Sequence, residues 1–232
     1  MSEPGPAGSA GWQDHQIVII DDHEMFSTSL MIALRDRGIE ARKVAVARLE
    51  DFASRPRGDR PGVVVLDLNL GVAPDGRKVK GYEWVAPLNA RGWPVLAVTG
   101  SDHDGDAAAA IAEGAVGVLS KSSALDVLLK AVMQTANGEP LLTEAERRDW
   151  EQKHKIRSER RNQIGKRLNE LTGREHEVLE AIARGQHAAD IAKKSVVSLT
   201  TVRTQIRSIL RKLDVNSQIE AIALLRQYND DM

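Results

Sequence analysis

Val63-Val64-Val65-Leu66-Asp67-Leu68-Asn69-Leu70 sets four apolar residues, three of them β-branched, directly before a carboxylate. A short unbroken apolar run after Pro61-Gly62 predicts a strand buried on both faces, with Asp67 at its exit. Open parallel sheets bind ligands outside the carboxyl ends of their strands, which makes Asp67 a candidate site residue. Three further strand-like runs end the same way: residues 16–20 lead into Asp21-Asp22, 95–98 into Thr99, and 116–120 into Lys121. As parallel neighbours they would bring three carboxylates, a hydroxyl and an ammonium to one sheet edge. Clustered carboxylates repel unless a hard cation lies among them, and Mg2+ with oxygen ligands suits such a cluster. Asp67, nearest the centre, is then a candidate nucleophile for phosphoryl transfer, with a metal and a lysine neutralising the phosphoryl oxygens.

Helical spacing of apolar residues is found at 25–37, 82–90, 104–113 and 124–136, with a short helix at 49–53 and a weak strand at 39–46. Strands alternating with helices predict an α/β fold, a (βα)5 doubly wound parallel sheet over residues 16–138. Residues 71–81, with glycines at both ends and at Gly76 and with Arg77, Lys78 and Lys80, read as a long basic loop beside the site. His15, His23 and His103 lack zinc-ligand spacing and read as polar loop residues.

The 232 residues, 42% of them hydrophobic, allow one large or two ordinary domains. With no cysteine the chain forms no disulfide or thiolate metal site, which fits a reducing cytoplasm. No apolar run approaches a membrane span, and residues 1–15, without the basic segment or apolar core of a signal peptide, read as a disordered tail. The net charge of −1 is unevenly spread. Residues 16–138 carry 14 basic and 16 acidic side chains, whereas 143–170 and 171–228 each carry nine basic against six acidic. A basic back half hints at nucleic acid.

Residues 139–168 are dominated by charges, with Glu144 and Arg148, Asp149 and Lys153, and Glu151 and Lys155 spaced i,i+4, the pattern of a solvent-exposed linker helix. From 169 to 228 the chain reads as four helices. Thr172 and Glu175 open the first as a capping box, Gly185 ends it, and residues 187–194 make a second. Ser198 caps a third, running to Leu213, and Ser217 with Glu220 caps the fourth. On the third helix Val202, Ile206, Ile209, Leu210 and Leu213 form one stripe, while Thr200, Arg203, Thr204, Arg207 and Arg211 form a separate face. A short helix, a turn and a helix with an exposed Arg/Thr face is the helix-turn-helix arrangement, whose second helix enters the DNA major groove.

Asp21-Asp22, Asp67, Thr99 and Lys121, in that order on successive strand ends, resemble the receiver domain of bacterial two-component response regulators. Leu171-Thr172-Gly173-Arg174-Glu175, Ile191-Ala192, Thr201-Val202-Arg203 and Arg211-Lys212-Leu213 resemble the LuxR-type helix-turn-helix of the NarL/FixJ class. The resemblance implies a flavodoxin-like receiver followed by an all-α DNA-binding domain. It makes Asp67 the phosphoacceptor, and Asp21, Asp22 and the Asn69 backbone carbonyl, with Asp67, the Mg2+ site. Thr99 becomes the switch hydroxyl and Lys121 the phosphate counter-charge. It further implies a histidine kinase as donor and a homodimer on DNA. The chain departs from the pattern in several places: Val118 stands where the family usually has an aromatic switch residue, Ser122 where a proline follows the lysine, and Gly71 where a proline is common. Ser195-Val196 replaces the usual Leu-Gly before the recognition helix, and Gln205 a frequent histidine.

Two rival readings use the same residues. A haloacid-dehalogenase-like phosphatase also places an aspartate after an apolar strand, but its general acid lies two residues later, where this chain has Asn69, which cannot donate or accept the catalytic proton. A regulator that ignores phosphate, and instead senses a ligand or is always dimeric, is favoured by Val118, Ser122 and the long loop and disfavoured by the acid cluster.

Overall fold

A computed structural model describes residues 15–73, 76–100 and 104–230, so the expected tail, apart from His15, and also His103 lie outside the described residues. The chain separates into two compact units that divide between His154 and Lys155.

In the first unit β1 (Gln16–Ile20), α1 (Glu24–Arg35), β2 (Glu40–Lys43) and α2 (Leu49–Ser54) lead to β3 (Gly62–Asp67). A pair of short strands follows, β4 (Asn69–Val72) and β5 (Lys78–Lys80), then α3 (Val85–Asn89), β6 (Val95–Thr99), α4 (Asp104–Ala112), β7 (Gly117–Ser120) and α5 (Leu125–Ala136). Five strands form one parallel sheet in the order β2-β1-β3-β6-β7. The central strand is β3, buried at every position from Gly62 to Asp67.

Successive side chains of a strand point to opposite faces, and the core follows that alternation. Ile17, Ile19, Val63 and Val65 pack with Leu30 and Leu34 of α1 and Leu128, Leu129 and Val132 of α5. Val18, Ile20, Val64 and Leu66 pack on the other face with Phe52 of α2, Leu88 of α3 and Ala107, Ala110 and Ile111 of α4. Both faces are therefore covered, the reason β1 and β3 carry no polar residue between their ends.

Two expectations change. The stretch 71–81 is not a plain loop: β4 and β5 pair antiparallel, with Asn69 opposite Lys80 and Val72 opposite Lys78. Leu70 and Val79 anchor this hairpin in the core, and Gly71 and Gly76 take left-handed φ values of 81° and 85° that its bends require. Its glycines and charges conceal that apolar anchoring in the sequence. The helix expected over 82–90 is instead a 3-10 turn (Gly81–Trp84) followed by α3, because Pro87 has no N–H to give to the preceding turn.

A long helix, α6 (Glu144–Asn169), follows. It is mostly exposed, as its charges predict, yet Trp150 packs against the first unit's core, and Ile164, Gly165 and Leu168 are buried in the second unit's. The second unit adds α7 (Gly173–Ala183), α8 (Ala188–Lys194), α9 (Leu199–Leu213) and α10 (Gln218–Asp230). Thr172 and Glu175 form the expected capping box, and Ser198 Oγ accepts the Thr201 N–H at 3.0 Å to cap α9. Val202, Ile206, Ile209 and Leu213 are buried and Leu210 is half-buried.

Candidate functional site

The strand order makes β1, β3, β6 and β7 neighbours, so Asp21, Asp67, Thr99 and Lys121 arrive at one edge. Asp21 and Asp67 are each only 1% exposed, and one ammonium serves both: Lys121 Nζ lies 2.8 Å from Asp21 Oδ2 and 2.6 Å from Asp67 Oδ2. Asp67 Oδ1 accepts the Asn69 N–H at 3.1 Å, and Asp21 Oδ1 accepts the His23 N–H at 2.7 Å. Thr99 ends β6 half-buried, and its carbonyl accepts the Lys121 N–H at 2.7 Å. The Lys121 ammonium also sits 5.2 Å from the Phe26 ring centroid.

Asp22 joins this group through His23, whose Nδ1 is 2.8 Å from Asp22 Oδ1, 3.2 Å from Lys121 Nζ and 3.5 Å from both Asp21 Oδ1 and Asp67 Oδ2. Ligand atoms of Asp21, Asp22, His23 and Asp67 all fall within 4.8 Å of one another. Burial pushes the Asp67 carboxyl above its ordinary range; the Lys121 hydrogen bond and Asn69 N–H pull it down, and Asp21 pushes it up. Three carboxylates against one ammonium leave the pocket electron-rich, a donor set that suits a hard cation or an incoming group whose charge such a cation offsets. His23, which reads in sequence as a polar loop residue, is in this cluster. Its position directly after Asp21-Asp22 is the signal that could have found it.

Around the pocket, Val118 packs inward against the core of the α2–α4 face, so no ring occupies that position. The Ser122 hydroxyl lies 2.7 Å from that of Ser120. Gly71 abuts Asp22: a Cβ there would sit 3.0 Å from Asp22 Oδ2.

In the second unit, Thr200, Arg203, Thr204, Arg207 and Arg211 are all exposed on α9, opposite its buried stripe. Among the described residues no ion pair engages the three arginines, and the Thr204 hydroxyl donates to the Thr200 carbonyl at 3.0 Å. Lys212 turns the other way. Its ammonium lies 2.7 Å from buried Glu175, tying the start of α7 to the end of α9. Although burial opposes ionisation, hydrogen bonds from Lys212, Thr172 and Ser208 hold the Glu175 carboxyl at about 2.

The family model described as response regulator receiver domain matches residues 17–133, and the one described as bacterial regulatory proteins, luxR family, matches 169–225. The chain belongs to the response regulators of the NarL/FixJ class. It is 31% identical over 217 residues to the nitrate/nitrite response regulator protein NarP of Escherichia coli (strain K12), covering 91% of this chain and 94% of that one. The nitrate/nitrite response regulator protein homolog of Haemophilus influenzae is 29% identical over 223 residues, 92% of this chain and 97% of the relative. Among solved structures, response regulator StyR aligns at 25% identity with a TM-score of 0.45, over 93% of this chain and all of that one. This regulator is a DNA-binding transcription regulator rather than an enzyme, which sets the phosphohydrolase reading aside. Its receiver carries the acidic pocket, with Val118 and Ser122 flanking Lys121. No helix among the described residues is long and apolar enough to cross a membrane.

The Glu175–Lys212 pair accounts physically for two of the motifs that carried the resemblance: Glu175 and Lys212 serve the second unit's packing, while their neighbours on α9 present the basic face.

Proposed function

We propose that the regulator is switched by a phosphoryl group on Asp67 and reads DNA through the exposed face of α9. The observation that carries this reading is a pair of buried carboxylates, Asp21 and Asp67, held by one ammonium at the carboxyl edge of the sheet. A carboxylate oxygen of Asp67 attacks the phosphorus of a histidine kinase's phosphohistidine. The new O–P bond forms as the donor's N–P bond breaks, and the imidazole leaves and takes up a proton. Lys121, already 2.6 Å from Asp67 Oδ2, stays protonated and neutralises the phosphoryl oxygens, and the Asn69 N–H orients the carboxylate. Three carboxylates against one ammonium fit a divalent cation, which Asp21, Asp22, Asp67 and the Asn69 backbone carbonyl would hold. When bound, Mg2+ supplies further screening of the transferred group's charge.

Thr99, at the adjacent strand end, is assigned the switch hydroxyl. Turning a mostly off state mostly on takes about 5.5 kcal/mol of differential stabilisation. One charge-assisted hydrogen bond supplies about 1.5–3 kcal/mol, so homodimerisation on DNA is assigned the remainder. Residues 16–138 form the receiver in this reading, 139–168 the linker and 169–228 the DNA-binding domain, acting in the cytoplasm. Thr200, Arg203, Thr204, Arg207 and Arg211 contact DNA, arginine being suited to guanine edges and phosphates alike.

Intact-mass spectrometry after incubation with Mg2+ and acetyl phosphate tests the reading. One phosphoryl adduct on the wild type and none on Asp67→Asn is the expected result. No adduct on either protein would favour the phosphate-independent regulator, for which the inward-facing Val118 is the supporting observation.

A further inference from the structure

The hairpin that follows the phosphoacceptor is tied to both the pocket and α4, and those ties describe a mechanical link. At one end, β4 begins two residues after Asp67, and its first N–H, from Asn69, is the donor to Asp67 Oδ1 at 3.1 Å. The hairpin returns to the same point. Gly81, just after β5, donates its N–H to the Leu68 carbonyl at 2.9 Å and packs so tightly that a Cβ there would overlap the Asp67 carbonyl oxygen. At the other end, Lys80 is only 9% exposed, and its ammonium reaches both carboxylate oxygens of Asp106, at 3.0 and 3.2 Å. Asp106 stands in the first turn of α4. Leu70 of β4 and Val79 of β5 share one apolar cluster with Ala107 and Ala110 of that helix, and the 3-10 turn after β5 packs against it.

We propose that Lys80 and Asp106 carry the state of Asp67 to α4, in a receiver whose position 118 holds a valine instead of a ring. The inference rests on Asp67 being the phosphoacceptor. A phosphoryl group on Asp67 changes what Oδ1 and Oδ2 can accept, and the Asn69 N–H that answers it belongs to the hairpin. Because Gly81 leaves no gap above the Asp67 backbone, a shift at Asp67 moves both hairpin ends together. Among the described residues Asp106 is the carboxylate paired with this buried ammonium, and breaking such a pair is costly, so Asp106 and the start of α4 follow Lys80. Toward the sheet α4 presents Ala107 and Ala110 with one large side chain, Ile111, so most of that contact is made by small side chains that interlock shallowly and leave the helix able to shift. Lys80 is thus a positioning residue: its backbone pairs with Asn69 in the hairpin, while its side chain acts through Asp106 and not on the carboxylates of the pocket.

Hydrogen exchange on the full-length protein, with and without acetyl phosphate and Mg2+, separates the possibilities, with phosphoryl uptake followed by intact mass in the same samples. The wild type is expected to change amide exchange over residues 104–112 at least fivefold on phosphorylation. Lys80→Met, and the double variant Lys80→Met/Asp106→Leu that removes both charges, are expected to take up phosphate normally and lose that difference, while Lys80→Arg retains it. A purely structural role would alter exchange equally in both states. Phosphorylated variants that keep the wild-type difference in α4 overturn the link and leave the phosphoacceptor standing, as does a phosphorylated wild type with no difference there. A wild type that takes up no phosphate overturns both.

Discussion

Val196→Gly is expected to stabilise the second unit by about 1 kcal/mol, an estimate from the cost of a left-handed backbone. Val196 has φ 54° and closes α8: its N–H reaches the Lys193 carbonyl at 3.3 Å, and the next N–H, from Val197, reaches the Ala192 carbonyl at 3.1 Å. Those two bonds define the Schellman ending, which places its last turn in the left-handed region and is normally completed by glycine. An L-residue pays about 1–2 kcal/mol there, and a β-branched side chain is among the worst suited. Glycine's greater freedom in the unfolded chain gives back about 0.5–1 kcal/mol. The lost side chain is 92% exposed, so almost no burial is forfeited. The four tryptophans, at 12, 84, 93 and 150, all precede Lys155, which supplies an internal control. Circular dichroism at the helical minimum should show one transition moving up by about 4–8 °C per kcal/mol, while the transition seen by tryptophan fluorescence stays in place. An unchanged or lowered transition would refute the assignment of strain to Val196.

Three further outcomes follow from the same structure. Gly81→Ala should destabilise the first unit by about 2–3 kcal/mol, since the added methyl overlaps the Asp67 carbonyl oxygen and the backbone has to move; urea titration followed by tryptophan fluorescence reads this directly. Glu175 has its carboxyl held near 2, below the unfolded value, so its contribution is complete above about pH 4.5, fades as pH falls through about 2, and amounts to about 2–3 kcal/mol. Glu175→Gln should therefore be less stable than wild type near neutrality and converge with it toward pH 2; an equal gap at both ends would mean that the Lys212 contact contributes nothing. Arg203→Ala and Arg207→Ala should each make the slope of log affinity against log salt for duplex DNA shallower by up to about one, with the helical spectrum intact. Unchanged slopes in both would remove α9 from the DNA interface.

The parallel sheet and its acid edge are legible in sequence because both depend on local patterns. A strand buried on two faces has to be apolar throughout, as residues 62–66 are, and a polar residue at its exit marks the edge that ligands reach. The helices of the second unit are equally legible, because caps such as Thr172 with Glu175 and Ser198 act within a single turn. Side chains with partners far along the chain are not legible in this way. Lys80 and Arg77 look alike in a basic glycine-rich stretch, yet Lys80 is buried on Asp106, 26 residues away. Lys212 directly follows Arg211 near the end of α9, yet unlike that exposed arginine it closes on Glu175, 37 residues back. His23 reads as a loop histidine until the sheet brings Asp67 and Lys121 beside it. Hydrophobic periodicity, caps and strand ends are properties of neighbouring residues, so the sequence alone determined the five sheet strands, the helices of the second unit and the meeting of Asp21, Asp67, Thr99 and Lys121 at the sheet edge. Which charge is buried, and against what, depends on where distant segments pack, and only the tertiary structure decided it.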